Sequence, residues 1–162
     1  MKIYIGADHA GFELKAALID AMRGKGYVVE DCGAHLYDAD DDYPDIIKET
    51  IRKFLVDVQS QADSRAIVIG ASGQGEAIVA NRFKGVRCAL YYGAPRGPQT
   101  DSSGHELSMI ASSRAHNDCN ALSLAARFMT PEEGVRAVLE WLKTPYMPED
   151  RHTRRIWKID SA

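Results

Sequence analysis

Residues 67–83, IVIGASGQGEAIVANRF, join a β-branched run to a helical pattern through three glycines and place Glu76 near the start of the helix. Gly70 and Gly75 have the spacing of a phosphate-binding loop, but Glu76 and Ala77 stand where that loop needs a lysine and a hydroxyl residue. A dinucleotide fingerprint would follow the first strand and needs a ribose-binding acid after the next one, whereas this segment follows the third predicted strand. Both nucleotide motifs are therefore excluded.

Glu76 can have a structural role or a chemical one. A glutamate in the first turn stabilises a helix by about 0.3 to 1 kcal/mol, and a tight turn that needs positive φ angles would explain the glycines. Alternatively, burial beside a substrate would raise the pKa of Glu76 while the helix terminus lowers it, which would give a base near neutral pH. Ser72 and the glycine N–H groups could then donate to an oxyanion. We hypothesise proton abstraction next to a carbonyl.

Two further pairs of polar residues lie near predicted element ends. Asp8 and His9 directly follow the first strand, where open parallel sheets bind ligands, although Asp8 could equally cap the next helix. His116 and Asn117 lie near the end of a helix. A single histidine is more often structural than catalytic, and Asn117 could simply end the helix.

A basic cluster lies near the C-terminus, where Arg151 and Arg155 are four residues apart and His152 and Arg154 are adjacent. Like charges at this spacing repel by a few tenths of a kcal/mol in a helix, so the cluster indicates either an anion site or a solvated basic face. Nucleic acid is the weaker partner, because nothing else in a chain of net charge −3 extends the basic patch.

The acidic run DADDDYPD, residues 38–45, resembles a metal site only superficially. It lacks the glycine and the terminal glutamate of a calcium loop. Acidic residues before a helix, with Pro44 near its first position, predict a helix start instead. We therefore expect no bound metal.

Five apolar runs alternate with segments of helical period, which predicts one α/β domain over residues 1–162. Continuous apolar strands such as AIVIG indicate a doubly wound, five-stranded parallel sheet flanked by helices. Thr130 and Glu133 form a capping box before one helix, and a last helix is predicted at about residues 148–160. Residues 93–104 have the composition of a loop, and HELSMIASSRAH, residues 105–116, is predicted as a helix.

Composition limits the class of protein. Apolar residues make up 45% and charged residues 27%, which is typical of a globular protein. No apolar stretch reaches the ~20 residues of a membrane span, and the first residues do not have the pattern of a signal peptide, so we expect a cytoplasmic protein without a membrane partner. Three widely spaced cysteines predict reduced thiols in packing positions.

Six motifs extend in order nearly from end to end of the chain: GADHAGFELK, DCGA, DADDDYP, GASGQGEAIVANRFKGVRCA, AHND and DRHTRRI. Together they resemble the ribose-5-phosphate isomerase type B family, also called the LacA/B sugar-phosphate isomerases. The resemblance implies a Rossmann-like domain that works as a homodimer with sites at the subunit interface. It also implies interconversion of ribose 5-phosphate and ribulose 5-phosphate, in the pentose phosphate pathway, without metal or cofactor.

The resemblance further implies residue roles. Glu76 would move a proton between carbons 1 and 2 through an enediolate with help from Ser72, and His116 would open the furanose ring. With Asp8, these form the expected catalytic set. In the family, the segment matching His116 and Asn117 comes from the neighbouring subunit. The expected substrate contacts are Asp8, His9, Ala71, Ser72, Gly73, Gln74, Gly75, Asn117, Arg127, Arg151 and Arg155. The arginines among them would bind the phosphate, and the N–H groups of residues 71–75 would hold the oxyanion with Asn117.

The sequence departs from the family pattern in two places. One branch of the family uses a cysteine base, and Gly70 stands at that position, so the branch with serine and glutamate fits; the cysteines, Cys32, Cys88 and Cys119, are not candidates. The segment between CALYY and AHND is about a dozen residues longer than the pattern. An isomerase of a hexose or tetrose phosphate, and a non-catalytic sugar-phosphate-binding protein, therefore remain alternatives. Association beyond the dimer is also left open.

Overall fold

A five-stranded, all-parallel sheet forms the centre of the computed structural model, which describes residues 1–94, 97, 99–101 and 104–161. The strand order is β2-β1-β3-β5-β4. The strands are β1 Lys2–Ala7, β2 Val28–Asp31, β3 Ser64–Gly70, β4 Cys88–Tyr91 and β5 Ala121–Ala125. The predicted parallel sheet is confirmed.

Six α-helices flank this sheet in the described part of the chain. They are α1 Phe12–Gly24, α2 Tyr43–Gln59, α3 Gln74–Ala80, α4 Met109–Asn117, α5 Pro131–Lys143 and α6 Asp150–Asp160. Two separate apolar clusters fill the space between helices and sheet. One cluster contains residues of α1, α4 and α5, and the other contains residues of α2 and α3. The doubly wound α/β fold class is therefore confirmed.

The sequence pattern explains why both faces of the sheet are covered. Successive residues of β3 point to opposite faces, so that Ile67 lies in one apolar cluster and Val68 in the other. A strand covered on both sides needs no polar alternation. The helices that cover it bury apolar side chains at helical spacing, as Leu18 of α1 and Phe54 of α2 illustrate with no exposed surface.

The chain between β4 and α4 differs from the prediction. Instead of a loop followed by a helix from residue 105, the described residues 99–101 and 104–107 pair with each other: Leu107 N–H donates to Gln99 O, and Asp101 N–H donates to His105 O. We call residues 99–101 and 104–107 the hairpin. Helix α4 begins only at Met109: Leu107 is paired with Gln99, and the side chain of Ser108 caps the helix by accepting from Ala111 N–H. Residues 95, 96, 98, 102 and 103 of the predicted loop lie outside the described residues.

Arg87, just before β4, connects the ends of two helices. Its guanidinium donates to Asp118 Oδ2 and to Asp160 Oδ2, both at 2.9 Å, and to backbone carbonyls of Asn117 and Asp118. Asn117 is the last residue of α4, as the alternative interpretation of this residue predicted, and Asp160 is the last of α6. Arg87 therefore joins both helix ends to the sheet.

The three cysteines form no disulfide among the described residues, as predicted. Cys32, Cys88 and Cys119 are free, and burial raises the pKa of the Cys32 and Cys119 thiols to about 11. Among the described residues, no helix has the length and apolar character that crossing a membrane requires.

The predicted capping box at the start of α5 provides a test of the fold. Thr130 N–H donates to Glu133 Oε2 at 2.8 Å, and Glu133 N–H donates to Thr130 Oγ1 at 3.2 Å. Thr130→Ala removes one acceptor from the helix end, so we expect the free energy of unfolding to fall by about 1 kcal/mol in urea titrations. Thr130→Ser keeps the hydroxyl and should stay close to the parent. Equal stability of the alanine and serine variants would contradict the assigned cap.

Candidate active site

The ends of β1 and β3 meet where the strand order changes direction. Strand β1 lies between β2 and β3, so the segments that follow β1 and β3 leave the sheet side by side. Asp8 N–H, directly after β1, donates to Ile69 O of β3 at 3.3 Å. The topology thus brings Asp8 next to the glycine turn that precedes α3.

The three glycines of this turn have different functions. Gly73 has a φ of 69°, which favours glycine. A Cβ at Gly70 would lie 1.9 Å from Glu76 Oε1, and one at Gly75 would lie 2.5 Å from Tyr43 Cζ. A positive φ angle therefore explains only Gly73. The alternative that the glycines serve a tight turn with positive φ angles was wrong for Gly70 and Gly75, which instead leave space for Glu76 and Tyr43.

Glu76 is buried although it carries a carboxylate, with only 4% of its surface exposed. Burial raises the pKa of Glu76, the negative charge of Asp8 raises it further, and a backbone hydrogen bond partly opposes this shift. A carboxyl group with a raised pKa is a better proton acceptor once it is ionised. The structure therefore places a potential base at the carboxyl ends of the strands.

Asp8 is a second buried carboxylate in the same place. Its Oδ1 accepts from Gly11 N–H at 3.0 Å, so the predicted cap is present, although it caps a short 3₁₀ turn, His9–Gly11, that precedes α1. Burial raises the pKa of Asp8, and the Gly11 hydrogen bond lowers it in part. The cap and a role in chemistry are compatible, because the second carboxylate oxygen is not needed for the cap.

His9 pairs with a residue that sequence reasoning missed. His9 Nδ1 lies 2.7 Å from Asp41 Oδ1, and this hydrogen bond raises the pKa of His9. Asp41 belongs to the acidic run, which does lead into α2 with Pro44 in its first turn, as predicted. No local signal could show that one of its carboxylates reaches across to His9.

Asp8, His9 and Asp41 also offer three ligand atoms within 4.8 Å of one another, the spacing that a metal ion needs. One Asp41 oxygen is bonded to His9, and one Asp8 oxygen is bonded to Gly11. The short His9–Asp41 hydrogen bond is sufficient to hold the two side chains together. The expectation of no bound metal stays a prediction.

Arg127 and Gln74 adjoin the glycine turn. Arg127 N–H donates to Ala71 O at 3.1 Å, and the positive charge of Arg127 is close enough to lower the pKa of His9 against the effect of Asp41. Gln74 Nε2 donates to Tyr92 Oη at 2.7 Å, and Gln74 N–H donates to Ser72 Oγ at 3.4 Å. The first group of predicted site residues is thus continuous in space. We call it the strand-end cluster: Asp8, His9, Ala71, Ser72, Gly73, Gln74, Gly75, Glu76 and Arg127.

The remaining candidates, except Asn117, line a different cavity. It has a volume of about 290 Å³ and lies between α4, α6 and the hairpin. No described residue of the strand-end cluster lines it. We call its polar residues the helix cluster: Asp101, Ser112, His116, Arg151, His152 and Arg155. Asn117, the last residue of α4, is exposed and lines a separate groove with Arg82 and Arg87.

His116 is held in this cavity from two sides. Its Nδ1 lies 3.2 Å from Ser112 Oγ, and its ring packs on the buried ring of His152 with centroids 4.5 Å apart. His152 Nδ1 donates to Met147 O at 3.1 Å, because a carbonyl oxygen can only accept. Helical spacing from His116 could have indicated Ser112, and His152 was noted only as a neighbour of the arginines.

One family model matches nearly the whole chain. The model described as Ribose/Galactose Isomerase matches residues 3–159. The chain belongs to this family. The resemblance seen in the six sequence motifs is therefore confirmed.

Named relatives of the Ribose/Galactose Isomerase family agree with this match. Ribose-5-phosphate isomerase B of Mycolicibacterium paratuberculosis is 38% identical over 156 residues, which cover 96% of this chain and 87% of the relative. The structure of ribose 5-phosphate isomerase RpiB from Thermotoga maritima superimposes with a TM-score of 0.81 at 35% identity, covering 99% and 98% of the two chains. Ribose-5-phosphate isomerase B from Mycoplasma genitalium, solved with bound ribulose 5-phosphate, gives 0.82 at 32% identity, covering 99% and 94%.

The proximity of the two buried carboxylates can be tested without any assay of function. Asp8→Asn keeps the oxygen that caps the 3₁₀ turn but removes the negative charge, so we expect the pKa of Glu76 to fall. Carboxyl-carbon NMR titration of the parent and the variant measures this change. Asp20→Asn, at an exposed position of α1, is the matched control and should leave the pKa of Glu76 unchanged. An unchanged Glu76 midpoint in Asp8→Asn would disprove the coupling.

Proposed function

We propose that this chain is an aldose–ketose isomerase that interconverts ribose 5-phosphate and ribulose 5-phosphate, a reaction of the pentose phosphate pathway. Membership of the Ribose/Galactose Isomerase family supports the reaction class. The names of the relatives, and the ribulose 5-phosphate bound to the Mycoplasma genitalium enzyme, support the pentose substrate. The observation that carries the proposal is the buried carboxylate of Glu76 beside the N–H groups of the glycine turn.

Glu76 acts as the base in the proposed reaction. It takes a proton from carbon 2 of the open-chain aldose and returns it to carbon 1, while the hydroxyl proton moves from oxygen 2 to oxygen 1. The enediolate between these steps carries negative charge on oxygen, which Ser72 and the N–H groups of residues 71–75 stabilise. Asp8 and His9 contact the sugar hydroxyls. No step needs a metal or a cofactor.

The phosphate is bound by arginines in this proposal, and the glycine turn is left to the reacting carbons. Arg151 and Arg155 share a cavity with His116, which is proposed to open the furanose ring. Arg127 adjoins the glycine turn. Guanidinium groups bind phosphate oxygens in pairs, which favours arginine at such a position.

A second copy of the chain is proposed to unite the two clusters. The helix cluster lines a cavity without the strand-end cluster, so one chain supplies the base and the other supplies His116, Arg151 and Arg155 from this cavity, with Asn117 from the end of α4. Apolar side chains next to both clusters support such contact. Ile78 of α3, Phe128 after β5 and Ile159 of α6 are each more than half exposed. A homodimer would remove these side chains from water.

Glu76→Gln tests the proposed base. The amide has the same shape but cannot accept the proton, so we expect kcat with ribose 5-phosphate to fall by ~10² to 10⁴ while the unfolding transition is retained. Glu49→Gln, at an exposed position of α2, is the control and should keep full activity. A fully active Glu76→Gln enzyme would rule out the assignment.

The same chemistry separates the alternative substrates. Incubation of the parent protein in heavy water with phosphorylated pentoses, tetroses or hexoses should place deuterium beside the carbonyl of ribulose 5-phosphate fastest. Faster exchange with a tetrose or hexose phosphate would replace the proposed substrate. Binding without any exchange would leave a non-catalytic sugar-phosphate-binding protein.

Complementation between two inactive variants tests the shared site. When Glu76→Gln and His116→Asn chains are refolded together, a mixed dimer contains one site with both side chains intact and one site with neither. Statistical mixing of equal amounts should restore about a quarter of the parent activity. Each variant refolded alone should stay inactive. If the mixture also stayed inactive while size-exclusion chromatography showed mixed dimers, both groups would belong to one chain.

A further inference from the structure

The hairpin brings to His116 a carboxylate that lies outside the six motifs. Asp101 Oδ2 lies 3.7 Å from His116 Nε2, and only 5% of the Asp101 side chain is exposed. Asp101 is held in this place by the hairpin itself, because its Oδ1 accepts from His105 N–H at 3.0 Å. The exposed ring of His105 also faces Oδ2, at 3.5 Å.

His116 Nε2 is available for chemistry in this arrangement. Nδ1 is occupied by Ser112 Oγ, whereas Nε2 is buried and has no hydrogen-bond partner among the described residues. A separation of 3.7 Å from Asp101 Oδ2 is too long for a hydrogen bond. Both residues line the cavity, and a ligand oxygen that entered between the two atoms would come within hydrogen-bond distance of each.

The two atoms fit the two oxygens of a cyclic sugar. A furanose carries its anomeric hydroxyl oxygen and its ring oxygen on one carbon, so an acid and a base that serve both oxygens must lie a few ångströms apart. Asp101 Oδ2 and His116 Nε2 satisfy this condition within a cavity that also contains Arg151 and Arg155. The described residues therefore supply a base, an acid and cationic groups for one phosphorylated sugar.

We propose that Asp101 is a catalytic residue of ring opening, paired with His116, an inference that rests on the proposed isomerase function. Asp101 Oδ2 accepts the proton of the anomeric hydroxyl as carbon 1 forms its carbonyl. The bond between carbon 1 and the ring oxygen breaks, and the ring oxygen takes the proton of His116 Nε2. Once the ring has opened, Asp101 releases its proton to solvent and His116 takes one up, which restores both groups and leaves no net change in the protein.

The pairing separates two reactions that otherwise share one site. Ribose 5-phosphate is mainly cyclic and must open before isomerisation. Ribulose 5-phosphate cannot close a five-membered ring, because its carbon 5 oxygen is phosphorylated, so proton exchange at its carbon 1 needs Glu76 but no ring opening. A group that acts only in ring opening therefore affects the first reaction and spares the second.

Asp101→Asn tests the inference, since the amide keeps the acceptor for His105 N–H but cannot take the proton. We expect kcat with ribose 5-phosphate to fall by roughly 10²-fold, the lower end of what general acid–base catalysis contributes. Exchange of deuterium from heavy water into carbon 1 of ribulose 5-phosphate should stay within about twofold of the parent. Glu106→Gln removes an exposed carboxylate of the same hairpin and should change neither reaction.

Three results would overturn the inference. Equal losses in both reactions would indicate a structural role for Asp101, and unchanged turnover of ribose 5-phosphate would remove any role. A lower KM without loss of turnover would indicate that Asp101 merely competes with the phosphate for the arginines. A failure of the proposed function gives a different result: the parent protein itself would neither convert ribose 5-phosphate nor exchange deuterium into carbon 1 of ribulose 5-phosphate.

Discussion

The burial of the Glu76 carboxylate against the backbone of Gly70 is the constraint on which the candidate site depends. Any side chain at position 70 would overlap the carboxylate, and any residue that opened this space to water would lower the raised pKa of Glu76. A carboxylate out of water and close to a second carboxylate costs stability. The fold accepts this cost at the end of its central strand, where the surrounding sheet and helices hold the carboxylate in position.

The strand order explains why two carboxylates meet there. Residues that follow β1 and β3 are neighbours only because β1 and β3 pair in register up to Ala7 and Ile69. A parallel sheet delivers both strand ends to one edge, and the change of direction after β1 leaves that edge open. The raised pKa values of Asp8 and Glu76 are therefore consequences of topology, because each residue alone has an ordinary sequence environment.

Features that depend on near neighbours in the chain could be predicted from the sequence. The buried strands, the segments of helical period and the Thr130 cap follow from local patterns, and Glu76 was found because it interrupts a glycine motif. The pairs His9–Asp41 and His116–Asp101 could not be predicted, because 32 residues separate the first pair and a hairpin of loop-like composition carries the second. The glycines show a further limit: composition does not distinguish a positive φ from a need for space.

Arg87 does not line the helix-cluster cavity, but it joins the two helices that carry the residues of that cluster. It hydrogen-bonds the last residues of both α4 and α6, and the tilted rings of His116 and His152, with centroids 4.5 Å apart, connect the same helices nearer the start of α6. Both contacts involve the C-terminal end of α4, whereas on α6 they lie at its two ends. The distance between His116 on α4 and the arginines on α6 therefore depends on how the two helices are joined, and Arg87 contributes to it from outside the cavity.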